Sequence, residues 1–324
     1  MPNFSGVWTL KEHGVAVKGD RWQALPARGL FYGGDTGDYY NVIQFIIIPN
    51  KSNTTDFGDL VAANANIMGF SSSTRGVFAG GFITGGSYTN VIQYVTIATE
   101  GNTTNFGDLS AARRNGWGVS SNTRGIVGGG TTSGAAQVNT IEYVTIASAG
   151  DVTDFGDLLA ATFGCGGFQS PTRACWAGGE VSGGSYQNVI QYVTIASAGA
   201  AQDFGDLEAV LGTTGGLSNN TRGMIGGGWR TNSAYTNIIQ YVTIASTGST
   251  DDFGDLTVAR SSTGTTADAT RGVFAGGTSD SGIENVMDFV TIASTGNASD
   301  FGDLLAATRN FSKGMVGGAH GGIA

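Results

Sequence analysis

The apolar positions of this chain fall into short bursts, set apart by Gly, Ser, Thr and Asn, and the bursts recur with one period. Between Leu109 and Leu158 the order is plain. A small-residue strand, a (111–120), turns at Ser121-Asn122 into strand b (123–130), which ends in glycines. A variable loop (131–138) leads to strand c (139–147), rich in β-branched and aromatic residues, the composition of a pleated, packed surface. A polar turn (148–153) then delivers Asp154-Phe155-Gly156-Asp157-Leu158, strand d. In the second copy, strand c reads Val91-Ile92-Gln93-Tyr94-Val95-Thr96-Ile97, with large apolar residues on both parities of the alternation. A strand solvated on one face shows clean alternation, so this pattern predicts a sheet packed on both faces. Strand a, made of Gly, Ala and Ser, fits a crowded position close to an axis.

The closing phrase fixes the period. Phe57, Phe106, Phe155, Phe204, Phe253 and Phe301 stand 49, 49, 49, 49 and 48 residues apart. Four-stranded units of about 50 residues with glycine turns are the mark of propeller blades. The pattern therefore predicts an all-β chain, a six-bladed β-propeller of four-stranded blades. Strand b recurs at Arg28, Arg75, Arg124, Arg173, Arg222 and Arg271. The first b has no a before it and the last a (306–318) has no b after it. The C-terminal strand is thus expected to join the N-terminal blade and close the ring, which divides the chain into an N-terminal arm, 1–26, and a propeller, 27–324.

Composition narrows the function more than it names one. There are 55 glycines in 324 residues, about 17% against a usual ~7%. Because they recur at fixed repeat positions, they mark turns and close backbone approach rather than disorder. Only 13% of residues are charged and the net charge is −9, with six arginines committed to one repeat position. No basic stripe is left for nucleic acid. The start Met-Pro-Asn-Phe-Ser lacks the pattern of a secretory signal, and no run of about 18 apolar residues suggests a membrane span. Cys175 replaces the Val, Ile and Met of other copies, as a core residue would, and a Cys165–Cys175 disulfide is left open.

Catalytic chemistry is poorly supplied. His13 and His320 are the only histidines, which excludes a His-rich metal site, and Ser and Thr lack a histidine to activate them. No catalytic residue, metal or cofactor is expected. The repeated Arg (Thr-Arg-Gly) and Asp (Gly-Asp-Leu) read as a structural ion pair tying blade to blade. Recognition is sought instead in the b–c loops, which emerge together on one face. Tyr39, Tyr88, Tyr186 and Tyr235 each stand two residues before the Asn that opens strand c, and Phe82, Trp229 and Arg230 differ from copy to copy. Such tyrosines among Ser, Gly and Asn suit adaptable binding of glycan or protein, or pack their own loops.

The order of an Arg-Gly start, a strand ending in a Gly doublet, a variable loop, an Asn-Val-Ile-Gln-Tyr strand and an aromatic in the last strand resembles the kelch family over residues 27 to about 319. Phe stands where kelch has Trp in strand d. Residues 1–26, with Phe4, Val7, Trp8, Leu10 and Trp22, include Gly-Val-Trp-Thr-Leu (6–10), which is similar to the start of virion-associated proteins of marine tailed phages. The phrases Asn-Val-Ile-Gln-Tyr-Val-Thr-Ile-Ala-Ser and Thr-Arg-Gly-Val-Phe-Ala-Gly-Gly are likewise similar to cyanophage structural proteins. The resemblance implies a virion component made in the host cytoplasm. It would dock on other virion proteins through 1–26, in several copies or as a homo-oligomer, and bind a host surface glycan or protein through its loops. A free-standing bacterial lectin or adhesion module is the rival.

Overall fold

A computed structural model describes residues 27–231 and 233–318. The expected arm residues Phe4, Val7, Trp8, Leu10 and Trp22 lie outside them. Among the described residues there is no helix, and six four-stranded antiparallel sheets hold most of the strand residues. The second sheet is typical, with a at Met68–Ser71, b at Arg75–Ala79, c at Val91–Thr96 and d at Thr104–Asp108, paired in that order. The first sheet is built from both parts of the chain. Its b, c and d strands are Arg28–Tyr32, Val42–Ile47 and Thr55–Asp59, and its fourth strand is Val316–Gly317, with Leu30 opposite Val316. The architecture is all-β and propeller-like. The c strands are buried on both faces, as their sequence predicted, and each apolar cluster takes residues from neighbouring sheets.

The repeated phrase shows how neighbours are joined. Phe57 of the first sheet packs with Val95 and Ile97 of the second. Gly58 follows at φ 145°, and a side chain there would strike the carbonyl of Gly101 in the next sheet's turn. The main chain of Asp59 then clasps that turn, its N–H donating to Asn102 Oδ1 at 2.9 Å and its carbonyl accepting from Thr103 N at 2.9 Å. Equivalent clasps run from Asp255 to Asn297 and from Asp303 to Asn53, the last leading from the sixth sheet back to the first. The aspartate is used through its backbone.

The repeated arginine was expected to pair with that aspartate, and here the structure corrects the sequence. Each guanidinium lies over the aromatic residue of its own c strand, Arg124 over Tyr143 at 4.4 Å and Arg222 over Tyr241 at 4.7 Å. That ring in turn meets the d-strand Phe edge-on, as Tyr143 meets Phe155 at 5.8 Å and 84°. The outer end of each arginine crosses to a backbone carbonyl of the next sheet: Arg75 to Ile146, Arg124 to Ile195 at 2.6 Å, Arg173 to Ile244, Arg222 to Ile292. Arg28 reaches Ile97 and Arg271 reaches Ile48 of the first sheet. The tie between sheets is real; its acceptor is a peptide oxygen. Among the described residues only Arg28 of these six adds a carboxylate, Glu100 at 2.9 Å, in an exposed pair worth little.

A second tie distinguishes two sheets from the other four. One buried acceptor in each c strand (Gln44, Gln93, Glu142, Gln191, Gln240 or Asp288) takes the N–H that follows the phrase's Leu in the preceding sheet, as Gln93 Oε1 takes Val61 N at 2.9 Å. Where this residue is a carboxylate, a buried arginine stands four residues after the Leu. Arg113 meets Glu142 at 2.6 Å, and Arg260 meets Asp288 at 2.9 Å with both side chains 0% exposed. Burial lowers the Arg113 pKa, with the Glu142 carboxylate acting against that shift. Where the acceptor is Gln, the arginine's place is held by Asn64, Thr162, Leu211 or Thr308. The charge and its partner occur together, in the same two copies.

Two outcomes follow from these ties. Arg124→Ala removes a charge-assisted hydrogen bond and a stacked cation, and should lower unfolding free energy in urea by roughly 2–3 kcal/mol; an unchanged midpoint would contradict the tie. Arg113→Thr strands the Glu142 charge and should cost about 3–5 kcal/mol. Adding Glu142→Gln reproduces the combination of Thr162 and Gln191 found at the same two positions of the next copy and should recover most of that loss. A double variant no more stable than the single one would refute the coupling.

Candidate recognition face

The b–c loops leave each sheet through a glycine doublet. In the second sheet, Gly80 (φ 65°) and Gly81 (φ 115°) occupy a backbone region that only glycine enters freely, and a Cβ on Gly80 would strike the carbonyl of Arg113. The second glycine donates to the segment that begins the next sheet: Gly34 to Asn64, Gly81 to Arg113, Gly130 to Thr162, and finally Gly277 to Thr308. Beyond the doublet the chain makes a small hairpin. Asn64–Ala65 pairs with Phe82–Ile83, which pairs with Ser87–Tyr88. Loop hairpins and the starts of the a strands therefore share one face.

The predicted residues gather there into two groups. In the first, Phe82 is central. Tyr39, from the first sheet's loop, meets it edge-on at 5.5 Å and 81°, and Tyr88 of its own hairpin meets it at 5.2 Å. The Arg114 guanidinium, from the start of the third sheet, lies 4.6 Å over Phe82 and 5.1 Å over Tyr88. All four side chains are half-buried. In the second group, Trp229 and Tyr235 face each other across one hairpin at 4.5 Å and 73°. Gly212 pairs with Trp229 through two main-chain hydrogen bonds, and the Tyr186 ring lies on its Cα. Burial, and then the Glu180 carboxylate, raise the Tyr186 pKa, so its hydroxyl stays protonated and able to donate. Arg230 follows Trp229 with its Nε buried and without a hydrogen-bond partner among the described residues.

Tyr39, Tyr88, Tyr186 and Tyr235 thus pack within their loops and against neighbouring ones, and they form two patches rather than a ring. Arg114 was not singled out from sequence. Its signal was the doublet Arg113-Arg114: the first arginine is consumed by buried Glu142, which leaves the second for the surface. At the equivalent position Arg309 is held by Asp35 at 3.1 Å, whereas the Arg114 guanidinium has no ion-pair or hydrogen-bond partner among the described residues.

Other chemistry is sparse on this face. Among the described residues no group of three His, Cys, Asp or Glu side chains could hold a metal ion. Both cysteines are free and buried, and burial pushes the Cys165 thiol up to about 12 and raises Cys175 as well. No protein-family model matches the chain, and no curated protein is detectably similar to it.

The thiols give a direct check on this arrangement. At pH 8 the folded protein should titrate no thiol with an aromatic disulfide reagent, and two after denaturation. Rapid reaction of either cysteine in the folded state would contradict their burial.

Proposed function

We propose that the chain is a six-bladed, kelch-like propeller whose loop face binds a saccharide carrying carboxylate groups. On this reading it is an appendage of a tailed-phage particle, held by the arm 1–26. Ring closure is supported by the pairing of Leu30 with Val316 and by the three series of sheet-to-sheet ties that lead from the sixth sheet to the first. The kelch-like strand order and the phage-like phrases come from sequence resemblance and supply the virion half of the proposal.

The observation that carries the binding half is the repeated composition of the two patches. Each combines half-buried aromatic rings with an arginine that has no carboxylate partner among the described residues, on a protein of net charge −9. Sugar rings present apolar C–H faces that stack on aromatic side chains, and a planar guanidinium holds a carboxylate through two parallel hydrogen bonds. Aromatic residues beside small polar loops also lose little conformational entropy on binding.

Titration with uronic-acid oligosaccharides, followed by Trp fluorescence and NMR, tests the binding. Affinity should fall about tenfold or more, roughly 1.4 kcal/mol, in Trp229→Ala and in Arg114→Ala. Equal affinity in both variants, or no binding of any saccharide, would sink the proposal. Mass spectra of purified particles test the virion half, where deletion of 1–26 should remove the protein from particles. Saccharide binding by a protein that is absent from particles would assign the free-standing lectin instead.

A further inference from the structure

The turns between strands a and b, and between c and d, emerge on the face opposite the b–c loops. On that face Ser72, Ser73, Thr74 and Arg75 of the second sheet, with Asn122 and Ala147 of the third, line a cleft of about 290 Å³. That volume lies at the small end of the range for sites that take small molecules. Arg75 is the one charged group in the lining. Its Nη1 donates to the carbonyls of Ile146 and Ala147 at 2.9 Å each, which sets the guanidinium against the cleft wall. Its central carbon stands 4.7 Å from the centre of the Tyr94 ring. The other terminal nitrogen, Nη2, has no hydrogen bond and no carboxylate among the described residues.

An equivalent arginine shows what that nitrogen takes. In the first sheet Arg28 Nη1 donates to Ile97 O at 3.1 Å, and its Nη2 donates to the Glu100 carboxylate at 2.9 Å. Ile97 and Ile146 hold the same repeat position, and so do Glu100 and Ala149. The remaining copies have Ala198, Thr247, Thr295 and Lys51 there, so Glu100 is the one carboxylate in its column. Where the first junction supplies a carboxylate from its own chain, the second has a methyl group. The Arg75 junction thus joins an open guanidinium end to an open cleft.

The rest of the lining is polar and held in place. Ser72 Oγ accepts from the N–H groups of Thr74 and Arg75 at 3.3 and 3.1 Å, which sets the turn. Asn122 Oδ1 accepts from Ser73 N at 2.8 Å and so bridges the two sheets. With its oxygen engaged, the Asn122 amide presents Nδ2 as a donor. Neither that nitrogen nor the Ser73 hydroxyl has a partner among the described residues. A guanidinium end matches a carboxylate, while an amide and a hydroxyl match hydroxyl groups on the same molecule.

We propose that this cleft is a second binding site, for one small hydroxylated monocarboxylate of the sugar-acid class. It rests on the Arg75 junction alone, on the face opposite the aromatic patches, and stands whether or not the loop face binds saccharide.

NMR titration of the full-length protein with D-glucuronate tests the site, with D-glucose and acetate as controls. Glucuronate should give saturable shifts at the backbone amides of Ser73, Thr74 and Asn122 and at the Asn122 side-chain amide. Glucose should give none, and acetate should bind about tenfold more weakly or worse. Ala149→Glu copies the Glu100 arrangement and fills the guanidinium end from within, so it should weaken glucuronate by about tenfold or more while Arg75 keeps its ties. Asn122→Ala should weaken it by about fivefold, and decides the matter if Ala149→Glu fails to fold. Trp229→Ala and Arg114→Ala, which test the loop face, should leave these shifts unchanged. No saturable shift at these residues, an equal response to glucose or acetate, or undiminished binding in both Ala149→Glu and Asn122→Ala would overturn the site.

Discussion

Each sheet holds the next by a guanidinium that crosses to a peptide oxygen, and the rest of the molecule is arranged around that reach. Arg124 can donate to Ile195 O because Tyr143 supports its planar face and Phe155 supports Tyr143 from the side. The acceptor is fixed as well, since Ile195 directly follows a c strand and its own N–H donates to Thr172 O at 2.9 Å. A carbonyl acceptor has an advantage over a carboxylate in this position. It carries no charge to desolvate, so the partly buried contact avoids the penalty that often cancels the attraction of a buried ion pair. The phrase Phe-Gly-Asp-Leu works beside this tie, with Phe filling the space between sheets and Gly-Asp bringing the main chain against the neighbouring turn.

At the inner edge, the sheets approach so closely that side chains give way to backbone. A methyl group on Gly118 would overlap the carbonyl of Gly69, and one on Gly216 would overlap that of Gly167. A circlet of left-handed residues spans the sheets at the loop end, where Asn66, Asn115, Gly164, Thr213 and Ser262 each donate an N–H to the carbonyl of the preceding member, beginning at Asn310. Thr213 holds φ 52° there, a costly conformation for a β-branched residue, and its two main-chain hydrogen bonds hold it in place.

Much of this was legible in the sequence because repetition separates scaffold from variation. The 49-residue period located the strands, and the mismatch between a first b and a last a placed 316–317 beside 28–32. The double-parity c strands announced burial on both faces. What stayed hidden has a physical reason in each case. A backbone carbonyl has no letter, so the partner of Arg124 could not be read and the nearest repeated carboxylate was expected in its place. The Arg113–Glu142 and Arg260–Asp288 pairs were legible in principle, since both members depart from their columns in the same copies. The aromatic patches were half visible: Tyr39, Tyr88, Tyr186, Trp229, Arg230 and Tyr235 stand on the predicted face. Arg114 joined them only once the structure showed that its neighbour faces inward.

The central claim is that the C-terminal segment completes the architecture as a whole, because every sheet depends on both of its neighbours. Hydrogen exchange measured on a chain ending at Asn310, compared with the full chain, addresses it most directly. Without 311–324, amide protection should fall in all six sheets, including Val189–Thr194 of the fourth, which the missing segment does not pair with. Loss of protection confined to Arg28–Tyr32 and its immediate neighbours, with the fourth sheet unchanged, would contradict it.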